Sequence, residues 1–227
     1  MSTPILVLQH AFDTGLGHLG GVLTEAGMAV ETVRFDCGGT LPAANDYRAV
    51  VSLGGHMGAY EVDRYPWLVD EKRYLADAVH ATVPVLGICL GCQLLADALG
   101  GRAYLAETPE VAVAPVTPTA VGRTDAVTRL LGGRFVMWHQ DTWDLPPRAE
   151  LLAVTDRYPQ AFRLGSALGL QPHPEVTSAM ARSWASTGRL VTMAGHDPDE
   201  FVARVEEEMD AIERRARGLF IAWVESL

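Results

Sequence analysis

Two stretches of this chain carry residues whose types and spacing suit covalent chemistry. The first is Pro84-Val-Leu-Gly-Ile-Cys-Leu-Gly-Cys-Gln-Leu-Leu-Ala-Asp-Ala-Leu-Gly-Gly101. Val85 to Ile88 is an apolar run of the kind a strand buried on both faces shows. Cys92, Leu95, Ala96 and Leu99 then recur at helical spacing until Gly100 and Gly101 stop the helix. Cys89 therefore sits at the bend between strand and helix. Gly87 and Gly91 permit the close backbone approach that such a turn requires. The helix that follows aims unpaired NH groups and the positive end of its dipole at the sulfur, which favours thiolate over thiol. A buried core cysteine in an ordinary strand-turn-helix would read the same way, so a partner base has to decide between the two readings.

Gln171-Pro-His-Pro-Glu175 supplies a candidate base. Pro172 and Pro174 disfavour helix at the residues before them, so the segment is expected to be extended. In an extended segment residues two apart project to the same side. The Glu175 carboxylate can then reach one imidazole nitrogen of His173 and leave the other for a third group. That is the orienter and base of a triad, with Cys89 as its nucleophile. Cys89 and Cys92 also form a Cys-x-x-Cys pair, but no second pair completes a zinc site, and redox exchange would leave His173 and Glu175 unexplained.

The elements that must position these residues alternate between strand and helix. Strands are expected at residues 5–9, 29–34, 49–53 and 85–88. Helices are expected at about residues 16–26, capped by Gly27, and 66–81, with Leu68, Tyr74, Leu75 and Val79 inward. This alternation predicts an α/β fold with a doubly wound, mostly parallel sheet flanked by helices. Gly54-Gly55-His56-Met57-Gly58 follows the third strand at its carboxyl end, the edge at which open parallel sheets bind ligands. After Gly101 the rhythm changes. Residues 111–116, 135–138, 151–155 and 167–171 read as strands without intervening helices, and antiparallel additions at the sheet edge are expected. The chain closes on a helix of about 25 residues. Asp197 is its N-cap, Pro198 its first position and Glu200 completes a capping box. Val202, Val205, Met209, Ile212, Leu219 and Trp223 form its stripe.

Together these motifs closely resemble the class I (triad) glutamine amidotransferases, among them the amidotransferase domain of GMP synthase and its free-standing relatives. The residues that carry the resemblance are Gly87-Ile-Cys-Leu-Gly-Cys-Gln-Leu-Leu-Ala96, Leu53-Gly-Gly55, Trp138-His-Gln-Asp141 and Gln171-Pro-His-Pro-Glu-Val-Thr177. The resemblance implies a flavodoxin-like fold and glutamine hydrolysis through a glutamyl thioester on Cys89, with His173 and Glu175 completing the triad. It also implies that the NH groups of Gly55 and Leu90 form the oxyanion hole, and that Gln93, with His139, Gln140 and Asp141, holds the amino and carboxylate groups of glutamine. A physical argument agrees: an NH just after the nucleophile points into the turn, and a glycine loop on a neighbouring strand can present a second. Three positions depart from the family pattern. His56 stands where many relatives have Pro, Ala112 replaces a usual Gly, and Cys92 occupies a position often held by His, Gly or Ala and makes reversible oxidation of Cys89 conceivable.

Composition sets the remaining bounds. The 227 residues, 48% hydrophobic, suffice for one sizeable core, so 1–227 is read as a single domain. A net charge of -10, with only a short Arg214-Arg215-Ala-Arg217 run read as a solvated helix face, argues against nucleic acid and anionic membrane as partners. Three cysteines, an odd count, and an N-terminus without a basic leader point to a reducing cytoplasm. No metal or cofactor is expected. A phosphate-cradling loop is absent, so the leading reading is a glutaminase that supplies ammonia to a separate synthetase. The alternatives are a stand-alone hydrolase or transferase acting on γ-glutamyl amides or peptides, and a non-catalytic binding or regulatory module on the same fold.

Overall fold

The apolar runs that the sequence places at the centre of the sheet are its most buried strands. The structure, a computed structural model, describes residues 3–43, 46–187 and 189–227. β1 (Ile5–Gln9), β2 (Val30–Arg34), β3 (Ala49–Ser52) and β4 (Val85–Ile88) pair in parallel in the order β2-β1-β3-β4. β3 and β4 are buried at every residue, which is why they are continuous apolar runs. Alternate residues serve two cores. Ile5, Val7, Val51 and Ile88 face α1 (Gly17–Glu25) and the C-terminal helix. Leu6, Leu8, Val50 and Val85 face α2 (Trp67–His80) and α3 (Leu90–Ala98). Helices therefore cover both faces.

Five further strands continue the sheet. β5 (Arg102–Pro118) and β6 (Gly133–Asp144) form a long antiparallel hairpin, followed by β7 (Glu150–Val154), β8 (Pro159–Leu164) and β9 (Ala167–Leu170). The nine strands run β2-β1-β3-β4-β9-β8-β7-β5-β6. The sequence-based expectation that residues 167–171 are an antiparallel addition is corrected here. β9 pairs in parallel with β4, Leu86 opposite Leu168, and lies in the middle of the sheet. Its four buried residues have the signature of a parallel core strand. β8 was not foreseen: it begins on Pro159 and carries a buried Gln160, which hides its period.

Two helices also lie where none was expected. They are α4 (Ser178–Thr187) and the single turn α5 (Leu190–Met193). In α4 only Ala181, Trp184 and Ala185 are buried, and two alanines make a faint apolar stripe. α6 (Pro198–Glu225) is the long closing helix. The Asp197 carboxylate accepts from the NH groups of Asp199 and Glu200 at 2.8 and 3.1 Å, as an N-cap should. Phe201 joins its buried face, while Val202 and Met209 are only partly covered. Arg217 pairs with Glu25 at 2.6 Å, fastening α6 to α1. No described helix is long and apolar enough to cross a membrane.

Candidate active site

Cys89 lies between β4 and α3 with φ +51° and ψ −106°, a conformation an L-residue adopts only when its surroundings impose it. The surroundings are two glycines. A Cβ on Gly87 would meet the Gly91 carbonyl, and a Cβ on Gly91 would sit on the Ser52 carbonyl of β3. Only bare backbone lets α3 start this close to the sheet. Cys89 NH donates to Leu170 O at 2.8 Å, tying the bend to β9. The sulfur is 3.9 Å from the Trp138 carbonyl, and the residue, 5% exposed, opens onto a cleft of about 450 Å³. Cys92 belongs to the opposite core, where burial and the neighbouring Cys89 push its thiol well up, so it is held as a packed thiol facing away from Cys89.

His173 and Glu175 meet by a different local geometry from the one the prolines suggest. The segment is not extended throughout. His173 forms a one-residue bridge to Val136 of β6, its NH donating to Val136 O at 2.9 Å, and then Pro174 and Glu175 turn. The turn is fixed from outside, because Glu175 O accepts from His18 NH at 2.8 Å at the start of α1. Gly17, at φ +46°, has no Cβ to strike that carbonyl. The His173 Nδ1–H then donates to Glu175 Oε1 at 2.7 Å, with both residues 2% exposed. Among the described residues Nε2 has no hydrogen-bond partner. Gly54 lies beside both residues: a Cβ there would lie 3.1 Å from His173 Cε1 and 3.7 Å from Cys89 Cβ. Burial alone would lower the His173 pKa, but the Glu175 carboxylate and the Cys89 sulfur outweigh it and raise the imidazole well above its ordinary value.

The loop after β3 brings a third group. Among the described residues neither the Gly55 NH nor the Leu90 NH, the latter at the first position of α3, finds an acceptor. Helix N-terminal and loop NH groups left open beside a nucleophile are the donors an oxyanion needs. The Gly54 carbonyl is held by His10, buried completely just beyond the end of β1. Its Nδ1–H donates to that oxygen at 3.0 Å and its Nε2–H to Glu71 at 2.9 Å, while Ser52 Oγ–H donates to Glu71 at 2.7 Å. Burial opposes the charge on His10, but Glu71 and the Gly54 carbonyl raise its pKa. His10, Ser52 and Glu71 thus clamp the glycine loop from beneath.

The opposite wall is polar. β5 and β6 slip register between Leu105 and Glu110, so four residues of β5 face Gln140 alone. That irregularity turns His139, Gln140 and Asp141 toward the cleft, which they line with Gln93. Gln93 Nε2–H donates to Gln171 Oε1 at 3.2 Å and lies 3.4 Å from Asp141 O. His139 has both nitrogens engaged, with Asp141 O at 2.9 Å and Glu110 at 3.1 Å, so it offers the cleft a ring and fixes its neighbour. Burial would raise the Glu110 carboxyl, but bonds from His139, Thr155 and Gln160 hold it below the usual range. Asp141 accepts from Tyr60 O–H at 3.1 Å, yet burial pushes its pKa up to about 6. His56 is exposed at the rim.

All nine residues named from the sequence border this one space or the turn beneath it. The sequence places His10 near the cleft, where it could tune substrate choice, without showing how, and it passes over Glu71, the aromatic Trp184, and the rim residues Phe12 and Met193. His10 had a signal: it is a polar residue immediately after a core strand, at the ligand-binding edge of a parallel sheet. Trp184 had none, since α4 itself was not legible.

The chain and its fold have counterparts among known proteins. Residues 18–184 match the family model described as glutamine amidotransferase class-I. The chain is similar to a GMP synthase [glutamine-hydrolyzing] from Thermomicrobium roseum, 37% identical over 136 residues, an overlap that is 57% of this chain and 23% of that protein. It thus spans about a quarter of that relative's length. It is also similar in structure to a glutamine amidotransferase from Thermotoga maritima (TM-score 0.88, 29% identity, 99% and 100% of the two chains covered). A glutamine amidotransferase from Methylobacillus flagellatus is comparable (TM-score 0.89, 28% identity, 100% and 96% covered).

Proposed function

The chain belongs to the class I glutamine amidotransferases, and from that premise we propose that it hydrolyses the side-chain amide of glutamine through a thioester on Cys89. The observation that supports this most is the orientation of His173. Its Nδ1 is committed to Glu175 at 2.7 Å, so the unpartnered Nε2 is the nitrogen left to serve the sulfur of Cys89, whose Cβ shares the Gly54 neighbourhood with the imidazole. A buried carboxylate that fixes the tautomer and stabilises the imidazolium is the third member of a triad.

Each group then has a task. The thiolate of Cys89, paired with the His173 imidazolium, attacks the amide carbon. The carbon–sulfur bond forms and the carbonyl oxygen becomes an oxyanion, which the Gly55 and Leu90 NH groups receive. The carbon–nitrogen bond breaks as His173 gives its proton to the nitrogen, and ammonia leaves. Water then loses a proton to His173 and attacks the thioester, releasing glutamate and restoring the ion pair. Asp141 is the natural counter-charge for the substrate ammonium, and Gln93 and Gln140 are amide partners for its carboxylate. His139 holds Asp141 in place.

The ammonia is supplied to a separate synthetase in this reading. The length by which the GMP synthase relative exceeds this chain supports it. Ammonia release from glutamine by the wild type, with and without a candidate synthetase, tests the proposal. If Cys89→Ala retained turnover, the nucleophile assignment would be wrong. A second reading, cleavage of larger γ-glutamyl amides by the same triad, is favoured by the aromatic and aliphatic side chains at the cleft mouth.

A further inference from the structure

We infer that the cleft takes the γ-glutamyl amide of an amine carrying an apolar, aromatic-sized group, and that it cleaves this compound in preference to glutamine. The inference develops the second of the two readings above, cleavage of larger γ-glutamyl amides, and rests on the Cys89 and His173 chemistry that both readings share. Its first support is the side on which the nitrogen must leave. The proton donor faces the departing nitrogen, so the leaving group occupies space next to His173. That space is bounded by Trp184, whose ring meets the His173 ring edge-on at 4.8 Å.

Trp184 organises an apolar mouth. Its Nε1–H donates to Asp13 O at 2.9 Å, which pins the loop after β1 beside α4 and leaves Phe12 on the cleft at 72% exposure. From the other direction α5 contributes Leu190 and Met193, the latter 65% exposed. Asp13 and Arg189 sit among them, one charge of each sign. The wall built from Gln93, Gln140 and Asp141 is polar, so the cleft is two-toned: an amino-acid end on one side of the thiol, hydrocarbon on the other. Ammonia is small and polar and would make no use of Phe12, Trp184, Leu190 or Met193. A cleft of about 450 Å³ is in the range that encloses a drug-sized ligand and is far larger than glutamine needs. Exposed apolar side chains gathered at a catalytic mouth mark a binding surface.

The step balances as for glutamine. The γ carbon–nitrogen bond breaks, the amine leaves with the His173 proton, and water releases glutamate from Cys89.

The test compares kcat/KM for glutamate release from γ-glutamyl phenethylamide, from glutamine and from the γ-glutamyl amide of a diaminoalkane. We expect the phenethylamide to exceed glutamine by about ten-fold or more, the scale set by burying one aromatic group. The ratio of phenethylamide to glutamine should fall by about ten-fold in Phe12→Ala and in Met193→Ala, both at exposed positions that folding does not depend on. Equal or better cleavage of glutamine or of the diaminoalkane amide overturns the inference, as does a ratio unchanged in both variants. A γ-glutamyl diazoketone, read by intact mass, separates the two levels. If it attaches to Cys89 and the phenethylamide is not cleaved, this inference alone fails. If it does not attach and no glutamate is released from any compound, the hydrolytic reading fails with it.

Discussion

His10 Nδ1 lies 3.0 Å from the Gly54 carbonyl oxygen, inside the core and beneath the loop that carries the Gly55 NH. A peptide whose carbonyl is held from below has its following NH aimed in a fixed direction, and Glu71 completes the hold through His10 Nε2 and Ser52. His10→Ala leaves the Glu71 carboxylate buried without its partner, which costs about 3 kcal/mol or more of stability. His10→Gln should keep a donor toward Gly54 and recover part of kcat, with KM little changed. Thermal melts together with kcat and KM for both variants check this; a large KM effect with normal kcat would contradict it.

Glu175→Gln keeps the size of the side chain but removes the charge that orients and stabilises the His173 imidazolium. Turnover is expected to fall by about 10³- to 10⁴-fold, as when the carboxylate of a serine triad is neutralised. Because Glu175 is a principal cause of the raised His173 pKa, the ion pair with Cys89 should also be lost at lower pH than in the wild type. The pH profile of thiol alkylation reads this directly.

Gly54→Ala sets a methyl group against the proposed base and beside the nucleophile, 3.1 Å from His173 Cε1 and 3.7 Å from Cys89 Cβ. Only His173 is crowded, so stability should drop by about 1 kcal/mol, while turnover drops by two orders of magnitude or more through misplacement. Gly91→Ala, by contrast, sets a Cβ on backbone carbonyl and should prevent normal folding of the bend. Comparing melting temperature with turnover in the two variants distinguishes wedge from misfold.

Asp141, raised from 3.8 to about 6 by burial, gives a signed pH dependence. Below that pH it is neutral and offers no counter-charge to a substrate ammonium, so KM should fall as pH rises through about 6. Asp141→Asn should abolish that limb. The same residue opposes folding once ionised, because its folded pKa exceeds its unfolded value. Stability is therefore lost as pH climbs from about 4 to 6, and Asp141→Asn should be more stable than wild type at pH 8 by up to about 2 kcal/mol. Denaturant melts at pH 5 and pH 8 read the difference.

The sequence by itself determined the strands and turns whose signals are local. Val85–Ile88 had to be a core strand because every residue is apolar, and Cys89 had to lie at a bend because Gly87 and Gly91 flank it. Asp197 and Pro198 marked the start of α6 because capping is settled within four residues. The pairing of β9 with β4, the helix α4, and the turn that joins His173 to Glu175 were decided only in three dimensions. Each depends on partners far along the chain: Leu86 for β9, Asp13 for Trp184, and Gly17 and His18 for Glu175. Local propensity cannot report contacts that span from about 80 to about 170 residues of chain. For that reason the chemistry of the site was legible in its motifs, while the clamp under Gly54 and the apolar mouth of the cleft were not.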